Sequence, residues 1–382
     1  MGVLHSVAVG SGDAALALIP ELTRALDGSG ALLPVPADDD RQAALLTETL
    51  RAGEPVDDSV ALVVSTSGST GIPKGALLSA SALHASADAT HDRLGGPGRW
   101  LLALPAYHVA GLQVLVRSLR AGTTPVALDP GFDVSEFPSA VRALGSGRRY
   151  TSLVSVQLAK ILADPAATEA LAELDAVLIG GGPMPPDLGE KAAAAGVSVV
   201  RTYGMSETCG GCVYDGTPLP GVQLRIDDTG RISLGGPTVA SGYRNPVDPS
   251  PFVDGWFVTD DIGAVDDSGV LRVLGRIDDA IATGGLKVLP ALVESALAGH
   301  PAIAECAVFG VPDERLGQRV AVAVVLHPGA DVPTVTDLRE RVSTALAATA
   351  APREVHVLDE LPRRGIGKLD RRALTLKYQK NA

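Results

Sequence analysis

The clearest chemical signal in the sequence is a polar loop of eleven residues, STSGSTGIPKG at positions 65–75. It contains five hydroxyl residues, three glycines and one lysine. Glycine lets the backbone approach a ligand and turn its N–H groups toward it, hydroxyl groups donate further hydrogen bonds, and lysine adds positive charge. The composition therefore suits a loop that wraps a polyphosphate. The residues that we expect to contact phosphate are Thr66, Ser67, Gly68, Ser69, Thr70, Gly71 and Lys74.

The surroundings of this loop separate it from two alternatives. It follows an apolar run, Val60–Val64, that predicts a buried β-strand, and it precedes a helical pattern over residues 76–93. A flexible Ser/Gly linker rarely lies between two such elements, so the linker interpretation is disfavoured. A Walker loop requires Gly-Lys-Ser/Thr after four spacer residues. Here Lys74 follows Pro73 and precedes Gly75, which disfavours a Walker-type NTPase.

A second stretch, TYGMSET at positions 202–208, combines an aromatic ring, a glycine, a carboxylate and hydroxyl groups. A ring can stack on a nucleobase, and a carboxylate can hold Mg²⁺. The stretch begins like the Gly-x-Ser-x-Gly turn of serine hydrolases, but Thr208 stands where that turn requires its second glycine. A serine hydrolase therefore stays a weak alternative.

Five stretches resemble, in the same order, the motifs of the acyl-adenylate-forming superfamily, which includes acyl-CoA synthetases, adenylation domains and luciferases. They are STSGSTGIPKG at 65–75, LIGGGPM at 178–184, TYGMSET at 202–208, GWFVTDD at 255–261 and PRRGIGK at 362–368. The resemblance covers residues 60–371. It implies that a small-molecule carboxylic acid attacks the α-phosphate of Mg·ATP, and that the thiol of CoA then attacks the acyl-adenylate.

The resemblance also implies roles on the nucleotide side. Asp261 would accept both ribose hydroxyls, and Arg276 would reach the ribose and the phosphate. Glu207 would hold Mg²⁺, Thr208 would donate to the α-phosphate, and Lys368 would bridge the substrate carboxylate and the α-phosphate as the mobile catalytic lysine. The residues expected along the adenine and the rest of the nucleotide are Gly181, Gly182, Pro183, Thr202, Tyr203 and Gly204.

On the acid side, the stretch PAYHVAG at 105–111 resembles the element whose ring gates the acyl pocket, which would make His108 catalytic and substrate-binding. A purely structural histidine is the alternative. Ser155 and Gly204 are the other expected substrate contacts. The stretch SLVSVQL at 152–158, the short N-terminal region and the C-terminal motif look most like the o-succinylbenzoate–CoA ligases of menaquinone biosynthesis.

Other substrates stay open. The alternatives are another aryl- or fatty-acyl-CoA ligase, an adenylation enzyme that loads a carrier protein, and a non-catalytic nucleotide-binding relative. A second carboxylate on the acid would need a cationic partner when buried. The sequence does not choose among Arg117, Arg142, Arg148, Arg149 and Arg201.

After Arg276 the resemblance places a boundary between two domains, residues 1–277 for adenylation and residues 278–382 for a C-terminal lid. Asp278 matches the hinge of the superfamily. The stretch TGGLKVLP at 283–290 resembles the loop that lines the pantetheine tunnel of CoA, with Gly284, Gly285 and Lys287 as its residues. The lid would rotate about the hinge between the two half-reactions.

The hydrophobic pattern predicts the elements that must position these residues. Between residues 112 and 200, helices alternate with short β-branched runs at 124–128, 152–156, 176–179 and 197–200, which indicates βαβ units and largely parallel sheets. Near the N-terminus the pattern predicts helices over 13–26 and 41–52. In the lid it predicts helices over 290–298 and 335–346 and strands over 306–311, 320–326 and 354–358. The expected fold is a large α/β domain with parallel-rich sheets flanked by helices, plus a small mobile α+β lid.

Composition limits the class of partner. The chain has 382 residues and a net charge of −12, which argues against nucleic acid and anionic membranes as partners. No apolar run approaches the ~18 residues of a membrane span. Three cysteines and no recognisable signal peptide predict a reducing cytoplasm. Cys209 and Cys212 form a C-x-x-C pair, but no second pair completes a metal site. Homodimerisation is left open.

Overall fold

The computed structural model describes residues 2–66, 72–364 and 368–379, with Arg364 and Lys368 described by their backbone alone. Within these ranges the α-helices are α1 (Ile19–Leu26), α2 (Asp40–Thr49), α3 (Ala80–Arg93), α4 (Val109–Arg120), α5 (Phe137–Ala143), α6 (Ser155–Leu162), α7 (Pro165–Ala172), α8 (Pro186–Ala194), α9 (Pro290–Leu297), α10 (Val335–Ser343) and α11 (Arg371–Tyr378). Short 3₁₀ helices cover Gly12–Leu18, Val134–Glu136, Ser206–Thr208 and Ala348–Ala350. None of the helices in the described ranges is long and apolar enough to span a bilayer.

The first sheet contains the strands that come directly before and after the polar loop. Its strands are β1 (Gly2–Val9), β2 (Ala31–Pro36), β3 (Pro55–Val56), β4 (Val60–Val64) and β5 (Ala76–Ser79), in the spatial order β3-β1-β2-β4-β5. Strands β1, β2 and β4 are parallel, and β3 and β5 pair antiparallel at the edges. The predicted strand β4 is confirmed, and all its residues are buried.

The prediction of a helix from residue 76 is wrong for its first four residues. Ala76 pairs with Val64, so residues 76–79 continue the sheet as β5. The helix α3 begins only at Ala80, where the Ser79 hydroxyl accepts a hydrogen bond from the backbone N–H of Ala82 at 3.1 Å. An N-cap of this kind satisfies a backbone donor that has no partner inside the helix.

The second sheet has seven strands. They are β6 (Arg99–Leu102), β7 (Val126–Ala127), β8 (Arg149–Val154), β9 (Ala176–Gly180), β10 (Val199–Met205), β11 (Gly210–Tyr214) and β12 (Thr217–Pro218). The order is β12-β11-β10-β9-β8-β6-β7, and β7, β6, β8, β9 and β10 run parallel. The predicted βαβ alternation is therefore confirmed. The strand predicted over 152–156 ends at Val154, because Ser155 begins α6.

Three antiparallel-rich units complete the fold. The third sheet contains β13 (Gln223–Ile226), β14 (Arg231–Gly235), β15 (Phe252–Val253), β16 (Trp256–Val265) and β17 (Leu271–Arg276). The fourth contains β18 (Ile281–Thr283), β19 (Leu286–Val288), β20 (Ile303–Asp313), β21 (Gly317–Leu326) and β22 (Glu354–Val357). A hairpin pairs β23 (Arg363–Arg364) with β24 (Lys368–Leu369).

Apolar side chains pack these units into layers. Helices α3 and α4 share one core cluster with strands of both the first and the second sheet, so they lie between the two sheets. Helices α5 to α8 cover the opposite face of the second sheet. Among the described residues, no core cluster joins residues up to Leu271 with residues from Ile281 onward. The expected α/β body with a smaller C-terminal α+β unit is confirmed.

Candidate active site

The carboxyl ends of the parallel strands β6, β8, β9 and β10 meet at one edge of the second sheet. Ligands of open α/β sheets bind at this edge. Ser155 follows β8 directly, and its hydroxyl donates to the carbonyl of Pro183, which follows β9, at 3.3 Å. The structure thus brings together a residue predicted for the acid and a segment predicted for the adenine.

The three consecutive glycines at the end of β9, Gly180, Gly181 and Gly182, have different structural surroundings. A Cβ on Gly180 would lie 2.5 Å from Thr202 Oγ1, so packing excludes a side chain there. Gly181 has a φ of +81°, a conformation that other residues rarely adopt. A Cβ on Gly182 would meet nothing within 4 Å. Neither packing nor a left-handed conformation therefore requires glycine at position 182, and its contact with a ligand stays a prediction.

Gly204 is required by the sheet itself. A Cβ on this residue would lie 2.1 Å from the Gly210 carbonyl oxygen and 2.7 Å from Gly211 Cα. The pairing of β10 with β11 shifts register between Tyr203 and Gly204. The close approach of the two strands explains this glycine without a ligand, whereas sequence reasoning assigned it to the substrate.

A buried carboxylate network joins β10 to the end of β17. The Tyr203 hydroxyl donates to Asp261 Oδ2 at 2.7 Å, and Arg276 Nη1 donates to Asp261 Oδ1 at 3.1 Å. Burial raises the pKa of Asp261 above its ordinary value, although both donors stabilise the charged carboxylate. Arg276 also donates to both oxygens of Asp278, at 2.8 and 3.0 Å. The residues predicted for the ribose and the hinge thus form one network.

Glu207 lies in a 3₁₀ turn (Ser206–Thr208) and is 8% exposed. Its Oε1 accepts a hydrogen bond from the Tyr243 hydroxyl at 2.6 Å. The neighbouring Thr208 is fully buried, and its hydroxyl donates to the Gly210 carbonyl at 2.8 Å and accepts from the Met205 N–H at 3.1 Å. The Thr208 hydroxyl is therefore engaged within the turn, and its contact with a phosphate stays a prediction.

The described ends of the polar loop carry two of its predicted phosphate contacts. Thr66 is 9% exposed, and within the described ranges its hydroxyl has no hydrogen-bond partner. A buried hydroxyl without a partner costs about 1–3 kcal/mol, so a polar ligand would be favoured there. The ammonium of Lys74 lies 5.2 Å from the centroid of the Tyr243 ring. The predicted contacts Ser67, Gly68, Ser69, Thr70 and Gly71 lie outside the described residues.

Three consecutive residues, Tyr243, Arg244 and Asn245, hold the end of this loop, and we call them the loop anchor. The backbone N–H of Arg244 donates to the Gly75 carbonyl at 2.7 Å, and that of Asn245 donates to the Lys74 carbonyl at 2.9 Å. The Asn245 amide donates to the Pro73 carbonyl at 2.9 Å. Sequence reasoning missed this contact, because nothing local indicates a partner so far away in the chain.

The guanidinium of Arg244 fastens the loop anchor to the first sheet. Its side chain is 10% exposed and donates to the carbonyls of Leu50, Arg51 and Pro55, at 3.1, 3.1 and 2.7 Å. A fork of N–H donors can satisfy several carbonyls at once, which an ammonium group cannot do in fixed directions. The connection between α2 and β3 therefore supports the polar loop.

His108 is the N-cap residue of α4 and is partly buried. Its ring centroid lies 4.6 Å from that of Tyr107. A Cβ on Gly111, one turn into the helix, would lie 2.4 Å from the Pro105 carbonyl oxygen. The first turn of α4 thus packs directly on the backbone that follows β6, which fixes the position of His108 at the edge of the sheet.

The same helix, α4, also carries a buried arginine. Arg117 is 3% exposed, its guanidinium lies 4.9 Å from the Trp100 ring centroid, and its Nη2 donates to the Tyr214 hydroxyl at 3.3 Å. Its Nε has no partner within the described ranges, and neither has Oε1 of Gln113, one turn earlier. Burial lowers the pKa of Arg117 below its ordinary value. A buried cation with a single neutral hydrogen-bond partner lowers the stability of the fold, because the hydration that it loses on burial is not replaced.

The four other arginines named from the sequence have different surroundings. Arg142 and Arg148 are exposed. Arg149 pairs with Glu173 at 3.2 Å, and the largely exposed Arg201 lies 3.7 Å from Asp215. Arg117 is thus the buried member of the set, and within the described residues it has no carboxylate partner.

The predicted CoA residues form a tight hairpin between β18 and β19. Gly284 and Gly285 have φ values of +57° and +82°, as a two-residue hairpin turn requires. The turn explains both glycines without a ligand, whereas sequence reasoning assigned them to the lining of the pantetheine tunnel. Lys287 is exposed on β19. The backbone of Lys368 pairs with Arg364 in the last hairpin, and its side chain lies outside the described part of the chain.

Neither a reactive thiol pair nor a metal site receives support from the geometry of the described residues. Cys209 and Cys212 are buried, and burial raises the pKa of both thiols, that of Cys212 to about 12. Both thiols are therefore protonated at neutral pH and suit a packing role. In the part of the chain that the structure describes, no three or more His, Cys, Asp or Glu side chains are grouped to hold a metal ion.

Models of two protein families match this chain. The AMP-binding enzyme model matches residues 13–244, and the model of the AMP-binding enzyme C-terminal domain matches residues 292–368. The chain belongs to the AMP-binding enzyme family. The predicted resemblance to acyl-adenylate-forming enzymes is thereby confirmed.

Relatives within the AMP-binding enzymes are similar over almost the whole chain. A protein of Mycobacterium tuberculosis named probable 2-succinylbenzoate–CoA ligase is 62% identical, over 99% of this chain and 98% of the relative. The o-succinylbenzoate CoA synthetase of Bacillus subtilis, solved with the acyl-adenylate intermediate OSB-AMP, has a TM-score of 0.76 and 29% identity, over 98% of this chain and 88% of the other. The same enzyme solved with ATP and a magnesium ion has a TM-score of 0.76 and 28% identity, over 98% and 89%.

The contacts of Arg244 predict its effect on stability. Arg244→Ala should lower the free energy of unfolding by about 2–4 kcal/mol, because three carbonyls lose their donor. Arg244→Lys should recover little of this loss, because one ammonium cannot reach the same three acceptors. Urea titration followed by tryptophan fluorescence measures both. Arg272→Ala, at a side chain that is 73% exposed, is the matched control. Equal small losses in Arg244→Ala and the control would contradict the anchor.

Proposed function

We propose that this AMP-binding enzyme is a 2-succinylbenzoate–CoA ligase, which forms o-succinylbenzoyl-AMP from ATP and then the CoA thioester, as a step of menaquinone biosynthesis. The observation that carries the proposal is the 62% identity to the probable 2-succinylbenzoate–CoA ligase over nearly the full length of both chains. The arrangement of the site supports it, because residues expected for the nucleotide and for the acid follow neighbouring parallel strands.

The first half-reaction needs ATP held so that its α-phosphate meets the acid. In the proposal, Asp261 and Arg276 bind the ribose, the bare backbone of Gly182 faces the adenine, and the loop at 65–75 binds the phosphates. Lys368 neutralises charge that develops at the α-phosphate. His108, at the N-terminus of α4, would line the entrance for the acid. In this arrangement these residues would orient two anions that otherwise repel each other.

Mg²⁺ enters the site with ATP in this proposal. Such an ion usually keeps its phosphate ligands and waters and takes only one or two protein carboxylates. The nearly buried carboxylate of Glu207 fits this requirement, because its partner Tyr243 also lies beside Lys74 of the phosphate loop. Bound Mg²⁺ would neutralise charge on the phosphates.

The second half-reaction needs CoA and a different part of the C-terminal unit. We propose the domain boundary between residues 277 and 278, with Asp278 as the hinge; the separate hydrophobic cores on either side support it. Rotation there would remove Lys368 and bring Gly284, Gly285 and Lys287 toward the acyl-adenylate. The cytoplasmic location stays a prediction, and homodimerisation stays open.

Arg117 is the proposed partner of the second carboxylate of the acid. It lies nine residues after His108 on the same helix, about 13 Å along the helix axis. Nine residues are two and a half helical turns, so the two side chains leave α4 on opposite sides, and the acid would have to pass between α4 and the second sheet to bring its far carboxylate to Arg117, which packs on Trp100. That carboxylate would supply the anionic partner that Arg117 lacks among the described residues.

Pyrophosphate release with Mg·ATP and CoA tests the proposed function on a panel of acids. The panel contains o-succinylbenzoate, benzoate, a medium-chain fatty acid and several amino acids. We expect strong preference for o-succinylbenzoate. Preference for another acid would overturn the substrate, and no release with any acid would favour a non-catalytic relative.

The Lys368→Ala variant tests the two-pose mechanism. Adenylation should fall by about 100-fold or more, because the charge at the α-phosphate loses its partner. Thioester formation from preformed o-succinylbenzoyl-AMP and CoA should be retained, because the lysine leaves the site in that pose. Rapid-quench assays measure the two half-reactions separately. Unchanged adenylation, or equal losses in both half-reactions, would contradict the mechanism.

The Arg117→Met variant tests the second-carboxylate proposal. For o-succinylbenzoate kcat/KM should fall by about 100-fold, because a buried charge pair is lost. For 4-oxo-4-phenylbutanoate, which has one carboxylate, it should change little. Methionine fills a similar volume, so the free energy of unfolding should not fall. Arg201→Met, at an exposed pair with Asp215, is the matched control. Equal losses for both acids would contradict the role.

A further inference from the structure

The hydrogen bond between Tyr243 and Glu207 joins two distant parts of the chain at the edge of the phosphate loop. The Tyr243 hydroxyl donates to Glu207 Oε1 at 2.6 Å, and Glu207 is 8% exposed. A hydroxyl that donates to a carboxylate at this distance forms a strong, charge-assisted bond. The bond therefore fixes the direction in which the Glu207 carboxylate points.

Backbone contacts with two different parts of the chain hold the segment of residues 240–243 in place. The preceding residue Gly242 accepts a hydrogen bond from the N–H of Leu77 in β5 at 3.0 Å, and Tyr243 itself forms a β-bridge with Ala76. Three residues before Tyr243, the N–H of Ala240 donates to the Glu207 carbonyl at 2.8 Å. The segment that carries Tyr243 is thus bonded both to the strand after the phosphate loop and to the turn that carries Glu207.

The ring of Tyr243 contributes separately from its hydroxyl. Its centroid lies 5.2 Å from the ammonium of Lys74, within the range of a cation–π contact, and 5.0 Å from that of the Phe252 ring, which it meets edge-on. One side chain thus contacts both the carboxylate proposed for Mg²⁺ and the lysine proposed for phosphate. Truncating only the hydroxyl would leave the ring contacts in place.

We propose that Tyr243 is a positioning residue that orients the Glu207 carboxylate toward the Mg²⁺ that accompanies ATP. The inference rests on the proposed function, in which Glu207 meets that ion. Residues that hydrogen-bond a metal ligand orient it, and their loss typically weakens metal binding 10–100-fold. Tyr243 acts through Glu207 and needs no contact with the nucleotide.

Binding of ATP to the full-length protein tests the proposal without turnover. Isothermal titration calorimetry in the absence of acid gives the Kd for ATP with saturating Mg²⁺ and with EDTA. The quantity of interest is the ratio of the two Kd values, which measures how much Mg²⁺ strengthens binding. In Tyr243→Phe this ratio should fall by about tenfold. The Kd in EDTA should stay at its wild-type value, because the ring contacts remain.

The Glu207→Gln variant and the double variant show whether the two residues act together. Glu207→Gln should lower the same ratio, and Tyr243→Phe should add little in the Glu207→Gln background. Tyr378→Phe is the matched control, because Tyr378 stacks on His356 at 3.7 Å in the C-terminal unit. It should leave the ratio unchanged.

Three results would overturn the proposal. A wild-type ratio in Tyr243→Phe, with a lowered ratio in Glu207→Gln, would remove the positioning role alone and leave the metal role of Glu207. Equal weakening of ATP binding with and without Mg²⁺ in Tyr243→Phe would show a packing role instead. A wild-type ratio in Glu207→Gln would overturn the proposed metal role and this inference with it.

Discussion

Hydrogen bonds from the loop anchor to the backbone carbonyls of residues 73–75 are the interactions on which the rest of the site depends. Asn245 and Pro73 are 172 residues apart in the chain, yet the amide of one donates to the carbonyl of the other. Arg244 ties the same segment to the first sheet, and Tyr243 ties it to Glu207. The phosphate loop and the carboxylate proposed for Mg²⁺ therefore share one support, so a shift of either would strain the other.

Two buried charged side chains, those of Asp261 and Arg117, differ in the partners that the protein provides for them. Both oxygens of Asp261 accept a hydrogen bond from the protein, from Tyr203 and from Arg276, and each oxygen keeps a second acceptor site for the ribose of the proposal. Arg117 has one hydrogen-bond partner among the described residues, the neutral hydroxyl of Tyr214, besides its contact with the Trp100 ring. A buried charged side chain without a counter-charge lowers the stability of the protein, but it also disfavours ligands that lack the opposite charge. In the proposed function, Arg117 provides specificity for an acid with two carboxylates.

Glycines marked the site in the sequence, but the structure gives them different causes. Gly204 is small because β11 passes within 2.1 Å of where its Cβ would be. Gly284 and Gly285 adopt the left-handed conformation of a hairpin turn. Gly182 has neither constraint. A sequence pattern cannot separate these causes, because strand packing, turn geometry and ligand contact all select the same residue. Glycine-rich motifs thus locate a site more reliably than they assign its contacts.

The sequence alone determined the order of the motifs, the buried strand Val60–Val64, the βαβ alternation and most of the C-terminal elements, because those signals are local and periodic. Tertiary structure decided what depends on distant partners. Residues 76–79 form a strand because β4 pairs with them, although their pattern continues into a helix. Arg117 differs from the four other arginines in its burial against Trp100 and Tyr214, which the local sequence does not indicate. Such choices follow from pairing and burial energies, which local propensity does not contain.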